Sequence, residues 1–274
     1  MKKILFLSSV AVLSFAYNSS VVMPYGNYIN YSGSTSKDKA KLGGIYYSYY
    51  KWPVKFEIDG EYLNIDYKNN IPDWLQKDLT LKINFYYKSN WLFNAGVHNF
   101  WVKQYDKYHY NKVLFGGIDY YKYLQYNIGV DYYFSDYKDF NVKQITPKVG
   151  FNFGNYYSNI GSFYVEGKYN NIHISKDGIA PKKNYNNFDL KLQNFKGPWT
   201  TTLKTTFGKF AYKIANDGFV VYNTGDEYKN GYGIDINYNF KKVNNIKVSF
   251  ERDKFDDNGD SYSNIYVLSY SRAF

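Results

Sequence analysis

The sequence contains no cysteine, although its 274 residues are enough for one large domain or two ordinary ones. Without thiols, the chain has neither a disulfide framework nor a thiolate-bound zinc or iron–sulfur site. It also lacks the runs of roughly 20 apolar residues that a bundle of membrane-spanning helices requires. Hydrophobic residues nevertheless make up 45% of the chain, which excludes a disordered protein.

A helical 3.6-residue periodicity is missing as well, whereas aromatic residues are abundant. The chain has 35 Tyr, 21 Phe and 5 Trp, yet its mean hydropathy is −0.55. The formal net charge of +10 is compatible with nucleic acid, anionic lipid or acidic substrates, and on its own it selects none of them. A polar chain with this aromatic content therefore requires a structural explanation.

The first sixteen residues have the pattern of a secretory signal peptide. A basic start precedes an apolar stretch at residues 4–13, and residues 14–16 place small side chains where a signal peptidase cleaves. We therefore expect residues 1–16 to be removed and residues 17–274 to form a single exported domain. The alternative is a retained N-terminal anchor.

From residue 20 onward, apolar and polar residues alternate, which is typical of strands with two different faces. Tyr232, Ile234 and Ile236, for example, alternate with Gly233 and Asp235. Short turns and longer charged loops also alternate along the chain. Together these patterns predict an all-β fold: a transmembrane antiparallel up-and-down barrel of about 14 strands, with about 12 as the alternative count. The predicted strands are 22–33, 39–50, 54–67, 78–88, 91–103, 111–121, 124–136, 142–154, 160–172, 184–195, 199–212, 229–240, 245–255 and 261–274.

The largest predicted loops are 68–77, 104–110, 173–183 and 213–228. Loop 213–228 is the longest, and we expect it to fold inward and narrow the mouth of the barrel. Pro147 lies within a predicted strand, where it removes a ladder hydrogen bond, and we expect a local bulge there.

Aromatic residues collect near the ends of the predicted strands, as in the interfacial girdles of membrane barrels. The girdle candidates are Trp52, Tyr87, Trp91, Trp101, Trp199, Phe240 and Phe274. The last predicted strand places Tyr266, Leu268, Tyr270 and Phe274 on one face. In these features the chain resembles the porin-like outer-membrane β-barrel superfamily of Gram-negative bacteria, whose last strand typically ends in Phe. No specific family within the superfamily is identified.

The resemblance implies a location and several partners. It implies the cell outer membrane, contact with membrane lipid and lipopolysaccharide, and recognition of the C-terminal strand ending at Phe274 by the outer-membrane assembly machinery. It implies no cofactor and no nucleic-acid partner. The oligomeric state and any partner of the external loops stay open.

Patterns for catalysis or metal binding are absent from the sequence. The three histidines, His98, His109 and His173, do not have the paired spacing of a metal site. Residues 256–260 resemble part of a calcium loop but lack its full spacing and closing Glu, which favours an external turn. We therefore expect no metal site and no enzymatic activity, although a catalytic set assembled from distant residues is compatible with the composition.

Charged residues on the polar strand faces carry the functional prediction, because these faces line the interior of a closed barrel. A wall of mixed charge keeps a pore hydrated and screens solutes by charge. The alternative is a salt-bridged plug, but about 14 strands leave room for water. The predicted lumen-lining residues are Lys55, Glu57, Asp59, Glu61, Lys82, His98, Asp119, Asp131, Lys148, Glu166, Lys168, Asp189, Lys191, Lys204, Asp235, Lys247, Glu251 and Asp253.

The sequence therefore predicts an outer-membrane channel for passive diffusion of small hydrophilic solutes or ions. Ten acidic and seven lysine side chains belong to the predicted lumen, so mixed selectivity leaning toward cations is expected despite the basic net charge. One alternative is a structural or adhesive surface barrel that acts through its external loops. A further alternative is a lipid-directed outer-membrane enzyme.

Overall fold

Alternating apolar and polar side chains require a sheet with two different surroundings, and the structure provides them by closing the sheet on itself. The computed structural model describes residues 18–88, 90–105 and 107–274, so the predicted signal peptide at residues 1–16 lies outside the described residues. Fourteen antiparallel strands form one closed barrel, in which each strand pairs with its neighbours in chain order and the first pairs with the last. The predicted all-β antiparallel barrel and its strand count are confirmed.

Sixteen strands are present in total, because a small hairpin accompanies the barrel. The small hairpin consists of β12 and β13, which flank one 3₁₀ turn at Asn216–Gly218. No helix within the described ranges is long and apolar enough to cross a bilayer. The strands are β1 (Asn18–Ser32), β2 (Lys37–Lys51), β3 (Val54–Tyr67), β4 (Trp74–Tyr87), β5 (Trp91–Gln104), β6 (Lys107–Lys122), β7 (Tyr126–Asp136), β8 (Asn141–Gly154), β9 (Ser162–Ile174), β10 (Asn184–Lys196), β11 (Trp199–Phe210), β12 (Ile214–Ala215), β13 (Val220–Val221), β14 (Glu227–Phe240), β15 (Asn244–Asp256) and β16 (Asp260–Ala273).

The two ends of the barrel differ in their connections. One end, the turn end, carries the connections 52–53, 88–90, 123–125, 155–161, 197–198 and 241–243. The other end, the loop end, carries 33–36, 68–73, 105–106, 137–140, 175–183, 211–226 and 257–259. The predicted loop at 104–110 is wrong, because β6 begins at Lys107. Tyr108 and Tyr110 continue the ladder there, opposite Lys103 and Trp101.

The bulge predicted at Pro147 is also wrong. The ladder between β8 and β9 pairs Ile145 with Asn171 and Lys148 with Lys168, so the register is the same on both sides of the proline. Pro147 itself is exposed on the outer face and lies opposite Val130 of β7. The missing N–H therefore interrupts the pairing locally without inserting a residue.

The outer face of the barrel is apolar and the inner face is largely polar. Exposed aliphatic and aromatic side chains follow the outward positions of neighbouring strands, such as Ile58, Leu81, Phe93 and Leu114, which belong to β3 to β6. Buried serine, threonine and asparagine side chains occupy the inner face toward the turn end. They include Ser19, Ser48, Asn84, Asn127, Thr202, Ser249 and Ser269. The barrel thus has the inside-out polarity of a protein surrounded by lipid.

At the loop end, Asp257 joins two connections that are far apart in the chain. Its carboxylate accepts hydrogen bonds from the Ser34 hydroxyl at 2.5 Å and from the backbone N–H groups of Thr35 and Ser36 at 2.9 and 3.0 Å. Burial opposes ionisation, but these hydrogen bonds outweigh it and lower the pKa of Asp257 to about 2. The predicted external turn at residues 256–260 is therefore tied to the β1–β2 connection.

We expect Asp257→Asn to lower the free energy of unfolding by about 1 kcal/mol at pH 7, a value reduced for solvent screening at this partly exposed site. The folded-state pKa lies below that of an unfolded Asp. The stabilisation by Asp257 is therefore complete above about pH 4 and lost as pH falls toward 2. Urea unfolding of both proteins at several pH values measures this difference. Asp38→Asn, whose carboxylate is half exposed and 3.8 Å from Lys39, is the matched control and should have little effect. A difference between wild type and Asp257→Asn that does not shrink between pH 4 and 2 would contradict the assignment.

Candidate functional site

The interior of the barrel is the candidate site, because the charged side chains of the strands converge there. None of the eighteen residues predicted to line the lumen is exposed; each is buried or half-buried. Three groupings follow from their contacts: an ion-paired wall, a hairpin that enters the lumen, and an acidic cluster.

The first part of the ion-paired wall lies on β6 to β10. The Lys148 ammonium contacts Asp131 at 2.7 Å and Asp119 at 3.0 Å. On the neighbouring strands, Lys191 contacts Glu166 at 2.8 Å. Each of these three carboxylates therefore has a lysine within ion-pair distance, although Asp119 and Asp131 share one.

Ion pairs continue on the other strands. Lys55 contacts Glu57 at 2.8 Å, and Lys204 contacts Asp235 at 3.1 Å and Glu251 at 3.2 Å. Lys247 is half-buried on β15, two positions from Ser249. The contacts of Lys204 join the inner faces of β11, β14 and β15 near the middle of these strands.

The connection 211–226, which we call the lumen hairpin, enters the barrel as predicted for loop 213–228. Its tip is the sequence Asn216-Asp217-Gly218, whose residues all have positive φ values, 49°, 55° and 98°. Asn, Asp and Gly tolerate this left-handed backbone region better than other residues. The tip therefore reverses direction tightly, and β12 and β13 pair on either side of it.

Charged and aromatic side chains of the wall hold the tip. The Asp217 carboxylate contacts the Lys168 ammonium at 2.8 Å, and Lys82 donates to the Asp217 carbonyl at 3.2 Å. The Phe219 ring packs edge-on against Tyr46, with ring centroids 5.8 Å apart. Lys82 and Lys168 lie near the middle of β4 and β9, so the tip reaches the mid-depth of the lumen.

Both arms of the lumen hairpin are also bound to the wall. The Gln144 side chain forms two hydrogen bonds of 2.8 Å with the backbone of Ile214. Lys213 contacts Asp189 at 2.6 Å. On the returning arm, Tyr222 donates to Asp253 at 3.4 Å, and Asn223 donates to Gln76 at 2.9 Å. The hairpin thus contacts β4, β8, β10 and β15.

The root of the lumen hairpin packs in an apolar cluster that fills the loop end of the lumen. Phe210 stacks on Tyr228 at 5.1 Å, and Tyr212 meets the stacked pair Tyr137 and Phe140 edge-on. The inner wall here is apolar: Val113, Ile172, Ile174 and Phe255, among others, are fully buried. A cavity of about 170 Å³ remains beside the root, lined by Trp74, Phe100, Val102, His109, Asn111, Tyr137, Lys138, Asp139, Phe140, Tyr212 and Asn223.

An acidic cluster, Asp59, Glu61 and Asp78, lies on β3 and β4. The Tyr25 hydroxyl is 2.8 and 3.0 Å from the two carboxylate oxygens of Asp59 and 2.5 Å from Glu61 Oε1. Glu61 is directly opposite Asp78 in the ladder. Tyr25 reaches these side chains across Gly44, which lies between Tyr25 and Glu61 in register.

His98 completes the surroundings of Asp78. Its Nδ1 is 2.7 Å from the Thr80 hydroxyl, and its Nε2 is 3.7 Å from Asp78 Oδ1. The Gln76 amide donates to both oxygens of Asp78 at 2.9 Å. His98 is only 1% exposed, so its ring belongs to the inner wall.

Several of these residues were not among the predicted site residues. β4 begins four residues before the predicted start at 78, and this extension brings Gln76 onto the inner face with Asp78 and Thr80. The Asn-Asp-Gly turn flanked by β-branched residues is a recognisable hairpin signal that could have located the tip. Tyr25 and Gly44 carried no such signal, because their role depends on which strands become neighbours.

The girdle candidates lie on the outer surface. Trp52, Tyr87, Trp91, Trp199 and Phe274 are exposed near the turn end, and Phe240 is half-buried there. Trp101 is exposed near the loop end and lies opposite Tyr110. Their place in a membrane interface is part of the proposal below. Among the described residues, no group of three or more His, Asp or Glu side chains is arranged to hold a metal ion.

No protein-family model and no curated protein matches the chain. Solved structures do match it. The monoaromatic hydrocarbon channel CymD has a TM-score of 0.64 at 7% identity, covering 93% of this chain and 88% of CymD. The toluene transporter TbuX of Ralstonia pickettii has 0.61 at 8%, covering 93% and 89%. The outer membrane protein Omp33 of Acinetobacter baumannii has 0.53 at 9%, covering 93% and 97%. The chain therefore has the fold of outer-membrane β-barrel proteins.

Gly44 provides a test of the Tyr25 contacts. A Cβ added at Gly44 would lie 2.5 Å from the Tyr25 ring, whereas a Cβ at the neighbouring Gly43 would meet nothing within 4 Å. We expect Gly44→Ala to displace Tyr25 from Asp59 and Glu61 and to lower the free energy of unfolding by about 1–3 kcal/mol. Gly43→Ala is the matched control and should leave the urea midpoint nearly unchanged. Equal midpoints for the two variants would disprove the close approach.

Proposed function

We propose that this chain is an outer-membrane channel for small hydrophilic solutes or ions and that the lumen hairpin narrows it in the conformation described. The proposal rests on the polar contacts that attach the hairpin tip to the wall of the lumen. Charged groups of the wall, Lys168 and Lys82, bind Asp217 at mid-depth, and ion pairs at this level are accessible to water. Contacts of this kind break and re-form at lower cost than the dry apolar packing at the root.

The surface of the barrel supports the membrane location. Its outward positions are apolar through the middle of the strands, and the girdle candidates are exposed or half-buried near the strand ends. Aromatic rings at these levels suit the headgroup regions on both sides of a bilayer. We propose that lipid and lipopolysaccharide cover this surface, that residues 1–16 direct export, and that the assembly machinery recognises β16 and Phe274.

The wall of the lumen supports a hydrophilic cargo. Two of the matched structures carry the names of hydrocarbon channels, which would suggest an apolar cargo by analogy. In this chain the mid-depth of the lumen is instead crossed by charged side chains, and small polar side chains line the turn end. An apolar solute would have to displace water from these groups without replacing their hydrogen bonds, which is unfavourable.

Shortening the lumen hairpin tests the channel directly. We expect replacement of residues 214–221 by a short Gly-Ser linker to raise single-channel conductance in planar bilayers severalfold, because the segment that crosses the lumen is removed. Lys168→Met should raise the frequency of open events without changing the open conductance, because it removes the ion pair that holds Asp217 and leaves the hairpin in place. Lys183→Met is the matched control; its partner Asp177 lies in the exposed connection 175–183.

An absence of conductance steps in both the wild type and the shortened variant, with the barrel folded, would overturn the channel. The apolar cluster at the loop end favours one second candidate, a structural or adhesive surface barrel with a permanently filled lumen. In that case, replacing the exposed connection 175–183 should change attachment to surfaces and leave permeability unaltered. The lipid-directed enzyme has no specific observation in its favour.

A further inference from the structure

We propose that the acidic cluster of Asp59, Glu61 and Asp78, together with Tyr25 and His98, binds a small monovalent cation, either an alkali ion or a protonated primary amine. The proposal adds a preferred cargo class to the channel proposed above. Only the passage of the cation through the lumen rests on that proposed function, because binding to the cluster does not require conduction.

The first argument is a count of protons. The Tyr25 hydroxyl has one proton, but it lies within hydrogen-bond distance of two carboxylates, at 2.8 Å from Asp59 and 2.5 Å from Glu61. It can donate to only one of them at a time. The second carboxylate is then left beside a hydroxyl lone pair and another anion, a repulsion that an added proton or a bound cation would relieve.

The second argument is the distribution of lysines. Elsewhere in the lumen the carboxylates of Glu57, Asp131 and Glu166 each have a lysine ammonium within 3 Å. Within the described ranges, neither Asp59 nor Glu61 has an ion pair with a lysine or arginine, and Asp78 has only His98, at 3.7 Å. Three carboxylates therefore face at most one cationic side chain.

The third argument is the state of His98. Its Nε2 has no hydrogen-bond partner among the described residues, although the side chain is 1% exposed and points toward Asp78. A buried nitrogen without a partner is costly. The distance of 3.7 Å from Nε2 to Asp78 Oδ1 is too long for a direct hydrogen bond, and an ion or its bound water beside Asp78 would give Nε2 the partner it lacks.

The cluster favours a single charge over a chelated divalent metal. Its carboxylates do not converge as a set of three metal ligands, which a divalent ion would need to offset its dehydration. Asp59 and Asp78 are 4% and 8% exposed, whereas Glu61 is half-buried. We therefore expect a small cation to reach the cluster past Glu61 and a bulky cation such as N-methylglucamine to be excluded.

Urea unfolding of the intact protein in detergent micelles tests the binding without any conductance measurement. The three solutions contain sodium chloride, methylammonium chloride or N-methylglucamine chloride at equal ionic strength, so that general screening is the same in all three. We expect sodium or methylammonium to raise the folding equilibrium constant about threefold over N-methylglucamine, the factor for a ligand at twice its dissociation constant. A response to either ion supports the site and identifies the ion it takes.

Two variants locate the effect. Glu61→Gln and, separately, Asp59→Asn leave one carboxylate for the Tyr25 proton, so each should abolish the difference between the salts. In N-methylglucamine each variant should be at least as stable as the wild type, because the repulsion between carboxylates is relieved. Glu251→Gln is the control for removal of a lumen carboxylate that has a lysine partner, and it should keep the response to sodium.

Identical wild-type midpoints in the three salts would overturn the site, and so would an unchanged salt response in both cluster variants. Either result would mean that protons alone balance the carboxylates. Ion-specific stabilisation in a barrel that never conducts would keep the site and overturn the channel. Conductance without ion-specific stabilisation would overturn the site and keep the channel.

Discussion

Closure of the ladder between the first and last strands is the constraint on which the rest of the structure depends. In a bilayer no water is available to an unpaired strand edge, so β1 must pair with β16 along its length. The pairing continues to the final residue, where Phe274 and Ser20 exchange backbone hydrogen bonds. Pro24 and Pro147 each interrupt a ladder without shifting its register. The wall therefore has no lateral edge, and any path through the barrel passes the side chains and the hairpin that fill the lumen.

The chain fills its own lumen with two kinds of contact that differ in strength. At the root of the lumen hairpin, aromatic pairs such as Phe210 with Tyr228 contribute about 0.5–1.5 kcal/mol each beyond their buried area. At the tip, the Asp217 and Lys168 side chains are only 26% and 20% exposed, so the cost of dehydrating the two charges offsets much of their attraction. The tip is thus the weaker attachment. Any opening of the lumen would begin at mid-depth, while the root stays packed at the loop end.

Strands were predictable because the outer face is consistently apolar, so period-two alternation continues through most of the barrel. The inner and outer faces of a strand were hardest to predict where the inward side chains are apolar. β2 turns Ala40, Leu42 and Tyr46 inward, which obscures the choice of face, and Val113 and Ile174 are buried at the loop end. Ala40, Val113 and Ile174 belong to the apolar cluster at the root of the lumen hairpin, and Tyr46 packs against Phe219 near its tip. A pattern read along one strand contains no information about a loop inserted from elsewhere in the chain.

The net charge suggests a positive lumen, but the distribution of charged side chains makes part of the lumen negative. Lys168 on β9 is paired with Asp217 and Glu166, so its charge is largely neutralised for a passing solute, and Lys82 on β4 donates to the Asp217 carbonyl. Asp59 and Glu61, by contrast, have no lysine partner in the described part of the chain and share a single tyrosine hydroxyl, that of Tyr25. A solute near β3 would therefore meet negative potential, although the whole chain carries a formal charge of +10. Because the potential at a constriction depends on unpaired charges within about a Debye length of 10 Å, local pairing outweighs composition in setting selectivity.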